Sequence, residues 1–151
     1  MAKITITFNE ILFDLQNKNR EEVRSISDPQ ARYFAEAGSE KSYELTRSIK
    51  EAFSQVSSMY LRFVENATQL EATDVLNDAE DLIIEFEISE RRSKGKIQPI
   101  TDTLHSLIVN HALTKFYNDI QQPELAAKRA EQTAEDAKLL NKLLFEKLPP
   151  L

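Results

Sequence analysis

The chain has 151 residues, no cysteine, only two glycines and a net charge of −6 at pH 7. The missing cysteines exclude disulfides, thiolate metal sites and cysteine nucleophiles. The scarcity of glycine argues against a glycine-rich phosphate loop and a turn-dense all-β fold. With 19 basic against 25 acidic residues, the bulk charge disfavours nucleic-acid binding over the whole surface.

Hydrophobic residues make up 41% and charged residues 29% of the chain, an ordinary globular composition. A chain of this size buries about 70% of its unfolded surface, enough for a core without staples. No apolar run reaches the roughly 18 residues of a membrane span. The N-terminus lacks the apolar stretch of a signal peptide, so the protein is expected to be made and used without secretion.

Thr7-Phe-Asn-Glu10 fits a capping box, with Ile6 and Ile11 placed as a hydrophobic staple. A helix is predicted over about 7–26, with Phe8, Ile11, Leu12 and Leu15 on its apolar face and Asn17 and Asn19 weakening it. Asp28-Pro29 is a second start signal, opening a short helix over about 29–37 that ends at Gly38. The clearest period follows over about 40–64, where Leu45, Ile49, Ala52, Phe53, Val56, Met59, Tyr60 and Phe63 recur at three- and four-residue steps.

The period then changes. Ile84-Glu-Phe-Glu-Ile88 alternates strictly, as a half-buried strand does. With a weaker strand over Leu70 to Leu76 and the acidic turn between them, it predicts a hairpin over about 69–89. An isolated hairpin is marginal in water. It is expected to lie on the helices or to pair with a neighbouring subunit, which makes Ile84, Phe86 and Ile88 candidate interface residues.

Two long helices close the chain, over about 98–120 and 123–148, around the hinge Gln121-Gln-Pro-Glu. The first is apolar around most of its circumference. The second carries Ala126, Ala130, Ala134 and Ala137, then Leu140, Leu144 and Leu148. The elements together predict a mainly α fold in a single domain over 1–151: a helical bundle of about four to five helices with one small antiparallel β-hairpin.

Few residues suggest chemistry. Arg91, Arg92, Lys94 and Lys96 form a basic segment able to touch DNA phosphates, though a solvated linker balancing nearby glutamates is the plainer reading. Asp78, Glu80 and Asp81 lack the glycine and distal glutamate of a calcium loop. His105 and His111, the two histidines, lie six residues apart, whereas a metal pair on a helix needs three or four. Glu85 with Glu87 shares the polar side of a strand, and Glu135 with Asp136 lies on a helix; neither suits a general acid–base pair. Ser57, Ser58 and Ser106 sit in helices without a nucleophile-elbow motif. The reading is therefore of no enzyme, no catalytic or metal residues and no cofactor. The small residues Ala130, Ala134 and Ala137, with Lys128 and Lys138 on the polar side, are candidates for a subunit interface.

The run from Leu104 to Tyr117, then Pro123-Glu-Leu-Ala-Ala-Lys-Arg-Ala-Glu, then Ala137-Lys-Leu-Leu, resembles the C-terminal half of tailed-bacteriophage head-to-tail connector (neck or adaptor) proteins. The shared features are an apolar helix ending in an aromatic pair, a hinge containing proline, and a long helix whose alanines give way to leucines. The resemblance implies a virion structural protein, assembled in the host cytoplasm. Its many copies would form a ring docked on the portal, contacting other neck or tail proteins around the DNA channel. The alternatives are a soluble helical interaction module or regulator binding a single partner, and a small metal-dependent hydrolase.

Overall fold

The computed structural model describes residues 2–30, 43–60, 63–67, 83–88 and 97–145. In chain order these form β1 (Ala2–Thr7), α1 (Phe8–Glu22), a 3₁₀ turn (Val23–Ser25), α2 (Tyr43–Met59), β2 (Val64–Ala67), β3 (Ile83–Ile88), α3 (Ile97–Asp119) and α4 (Pro123–Phe145). The fold is mainly helical, as expected. Asp28 Oδ1 accepts the Gln30 N–H at 3.1 Å, a cap at the expected second start. The remainder of that short helix, and residues 146–148 of the last one, lie outside the described residues.

Thr7 ends β1 and caps α1: its hydroxyl oxygen accepts the Glu10 N–H at 3.4 Å. Phe8, Ile11 and Leu15 are fully buried below it. The local signals therefore place the first helix within a few residues of its predicted start and end.

The β structure is larger than a hairpin. β3 is the central strand of a three-stranded antiparallel sheet in the order β1-β3-β2. The expected antiparallel pair is β2 with β3, but β2 stands at Val64–Ala67; the run from Leu70 to Leu76 lies outside the described residues. β1 supplies the third strand, with Ile4 opposite Phe86, Ile6 opposite Ile84 and Lys3 opposite Glu87. The alternation of β1 matches that of β3, so Ile4, Ile6, Ile84, Phe86 and Ile88 all turn to one face and are buried. That face joins the helices in one core. A third strand and a helical backing remove the marginal stability of a lone hairpin.

α3 is the hub. Eleven of its 23 residues are buried, because α1, α2, α4 and β1 all pack around it. An apolar circumference is what a surrounded helix requires. The chain then reverses through a Schellman cap. Gln122 N–H donates to Tyr117 O at 2.8 Å, Gln121 N–H donates to Asn118 O at 3.3 Å, and Gln121 sits at φ 61°. Pro123 follows as the first residue of α4, where its missing N–H costs nothing. α4 lies on the outside: only Ala126, Leu140 and Leu144 of its 23 residues are buried. Among the described residues, no helix is long and apolar enough to cross a membrane.

Candidate functional site

Polar side chains gather on two flanks of α3. On the first, α1 contributes Asp14, Lys18, Asn19 and Glu22; Asp14, Lys18 and Glu22 recur every fourth residue and so share a stripe. His105, on α3, is hydrogen-bonded through Nε2 to Asp14. One position on, Ser106 turns instead to α4, where its hydroxyl donates to Asp136 Oδ2 at 2.7 Å. Asn110 donates from Nδ2 to the same oxygen at 2.7 Å and accepts through Oδ1 from Arg129 at 2.9 Å. Arg129 in turn pairs with Glu22, whose side chain is 6% exposed. Lys128 Nζ approaches the same carboxylate at 3.9 Å.

This seam joins three helices through paired polar and charged groups, although both Glu22 carboxylate oxygens and Arg129 Nε are buried without a hydrogen bond. Burial lowers the Lys18 pKa, with the Arg129 charge adding to the effect, while Asp136, Asp14 and Glu21 oppose it. The Ser106 proton goes to Asp136, and His105 is tied to a different carboxylate. Ser106 and His105 are therefore not assembled as nucleophile and base. What the seam does is fix the register of α4 and α1 on α3, through the Ser106 and Asn110 bonds to Asp136 and the Arg129 ties to Asn110 and Glu22.

The second flank is a cleft of about 300 Å³ between α2, α3 and α4, lined by Glu51, His111, Thr114, Lys115, Asn118, Ala130 and Thr133. Lys115 Nζ lies 3.7 Å from Glu51 Oε2 and 3.2 Å from Asp119 Oδ1. Thr114 donates its hydroxyl proton to Asn110 O at 2.8 Å, and Thr133 donates to Arg129 O at 2.7 Å. His111 Nδ1 is buried without a hydrogen-bond partner. Desolvation lowers the His111 pKa, opposed by the charge of Glu51 and by the residue's own backbone.

The residues singled out from the sequence are scattered over this frame. The two histidines stand on different flanks of α3, one in the seam and one in the cleft. Ala130, Ala134, Lys128 and Lys138 are exposed along α4, while Ala137 is partly buried against the core. Ile84, Phe86 and Ile88 are withdrawn from the candidate interface: all three are fully buried in the chain's own core, because their face of the sheet packs against the helices. Arg91, Arg92, Lys94 and Lys96, and the acidic turn with Asp78, Glu80 and Asp81, lie outside the described residues. Glu135 is exposed, whereas Asp136 is the acceptor at the centre of the seam.

Sequence reasoning missed the seam as a unit. Its traces were the four-residue spacing of Asp14, Lys18 and Glu22 and the Ser106–Asn110 step that interrupts the apolar surface of α3. Among the described residues, no group of three or more histidine or carboxylate side chains is placed to hold a metal ion. No protein-family model, curated protein or solved structure matches the chain.

Proposed function

We propose that this chain is a non-catalytic structural subunit that assembles with copies of itself, as a ring of the phage head-to-tail connector type docked on a portal around the DNA channel. The observation that carries the reading is α4: a helix of 23 residues with three buried presents a broad face for another subunit. Small residues at Ala127, Ala130 and Ala134 allow close approach, and Lys128, Glu131, Glu135, Lys138 and Lys142 are exposed around them. A ring requires such a face to meet a different face of the next copy, a heterologous contact that closes by rotation. In this reading the protein needs no cofactor and works in the virion neck after assembly in the host cytoplasm.

The genes flanking this one supply the test. A portal gene among them permits co-expression of the two proteins and imaging of the purified complex. The expected result is a closed ring of this chain on the portal, weakened by Lys138→Glu. Lys138 is the cleaner probe, because Lys128 also serves Glu22 within the chain. Metabolic neighbours, or a chain that stays monomeric beside the portal, would overturn the reading.

A second reading, a module binding a single partner, is favoured by one patch. Phe145 is 45% exposed, and its ring centroid lies 5.5 Å from that of Phe63 and 6.5 Å from that of Tyr60. Contiguous exposed apolar groups of this kind mark contact surfaces. Stoichiometry separates the two readings: one partner per chain for the module, many identical contacts for the ring.

A further inference from the structure

Along the cleft between α2, α3 and α4 the two hydroxyl donors are already committed, while their oxygens and the Glu51 carboxylate still have lone pairs to offer. Both threonines that line it have given their hydroxyl protons to helix carbonyls, Thr114 to Asn110 and Thr133 to Arg129. A hydroxyl whose proton is used can offer only lone pairs. The Lys115 ammonium is shared between Glu51 and Asp119, so two carboxylates share one cation and the cluster keeps an excess negative charge. Glu51 lines the cleft as a pure acceptor with a side chain 44% exposed. His111 Nδ1 lacks a partner, and burial favours the neutral ring, which retains one lone pair.

We propose that this cleft binds a donor-rich organic cation, a guanidinium or alkylammonium group, seated against Glu51 with the hydroxyl oxygens of Thr114 and Thr133 accepting from it. A volume of about 300 Å³ is at the low end for ligand pockets, so it suits a charged head and its first carbons better than a whole cofactor. Asn118 and Lys115 also line the site. Lys115, held by its two carboxylates, does not fill it. The shared chemistry has two sources: a free small cation, or a lysine or arginine side chain presented by another copy of the chain.

The test is an NMR titration of the full chain with methylguanidinium chloride at constant ionic strength. Methylurea serves as the neutral isostere and sodium acetate as the anion. Saturable shifts confined to His111, Thr114, Lys115 and Thr133 are expected with the cation alone, at a dissociation constant on the order of 1–10 mM for so small a ligand. Glu51→Gln removes the charge while keeping the shape and is expected to weaken binding about tenfold, the worth of one hydrogen bond to a charged group. Thr133→Val, which removes one acceptor, weakens it less.

Sedimentation velocity with and without methylguanidinium identifies the source. Self-association that the cation dissolves assigns the site to a basic side chain of another copy; binding that leaves the association state unchanged assigns it to a free cation. The proposal is overturned by shifts that do not saturate, by equal response to acetate or methylurea, or by undiminished binding in Glu51→Gln.

Discussion

The Tyr117 hydroxyl donates to Asn19 Oδ1 at 2.9 Å, and both residues are fully buried, one on α3 and the other on α1. Burial pushes the Tyr117 pKa well above the ordinary phenol value, so the hydroxyl keeps its proton and acts as a donor. Asn19 looks in the sequence like a weak point in a helix. In the fold it is the acceptor that pins α1 to the hub.

Tyr117→Phe removes this donor without opening a cavity. The expected loss is about 1–2 kcal/mol, the cost of a buried acceptor deprived of its partner. Asn19→Ala is expected to cost at least as much. The double variant should lose less than the sum, because the two changes remove one shared bond. Urea unfolding of the four proteins measures the coupling, and a coupling of zero would show that the bond contributes nothing to stability.

Arg129 is the second tie between helices. It serves Glu22 on α1 and Asn110 on α3 at once. Arg129→Met keeps much of the stem packing but leaves the Glu22 carboxylate buried with only the more distant Lys128 to balance it. Breaking one side of a buried ion pair costs about 3–5 kcal/mol. Adding Glu22→Gln to Arg129→Met should recover a large part of that, since the unpaired charge is then gone. A double variant no more stable than Arg129→Met would refute the charge argument.

These two ties explain what was readable in advance and what was not. The Thr7 cap, the aromatic end of α3 and the Pro123 start of α4 rest on neighbours within a few residues, and each stands where the pattern put it. β1 is as regular as β3, but its six alternating residues run straight into a helix cap, and its pairing partner lies about eighty positions downstream. Nothing local identifies such a partner. The same holds for the seam: Ser106 and Asn110 are polar residues on an apolar helix until the α3–α4 turn brings Asp136 beside them. The cleft needs three helices in place before it exists at all.

His111 gives the fold a pH dependence of definite sign. Its pKa is lowered in the folded chain, chiefly by desolvation, so between that value and the unfolded one, about 6.5, the unfolded state binds more protons. Stability therefore rises with pH across this window. The contribution is fully present above the unfolded value, and falls away as pH drops towards the folded value. Thermal unfolding at steps from neutral to mildly acid pH should show a steeper loss for the native chain than for His111→Gln. Parallel curves for the two proteins would mean that His111 titrates alike in both states.

Gln121 is a glutamine in a left-handed position, with φ 61°, at the residue where the Schellman cap of α3 needs that conformation. A side chain with a Cβ pays about 1 kcal/mol there, and glycine does not. Gln121→Gly therefore relieves the folded state, at the expense of a freer unfolded chain. The net gain expected is about 0.5–1 kcal/mol, or roughly 2–4 °C in Tm at the upper end for a chain of this length. Gln121→Val should act oppositely, because a β-branched residue resists positive φ. The same turn sets the angle at which α4 leaves α3, so Gln121→Gly should also leave the Ser106–Asp136 bond intact while Gln121→Val weakens it. Urea midpoints and hydrogen exchange at the hinge amides of Gln121 and Gln122 check both expectations, and a destabilised glycine variant would rule out a strained glutamine at this cap.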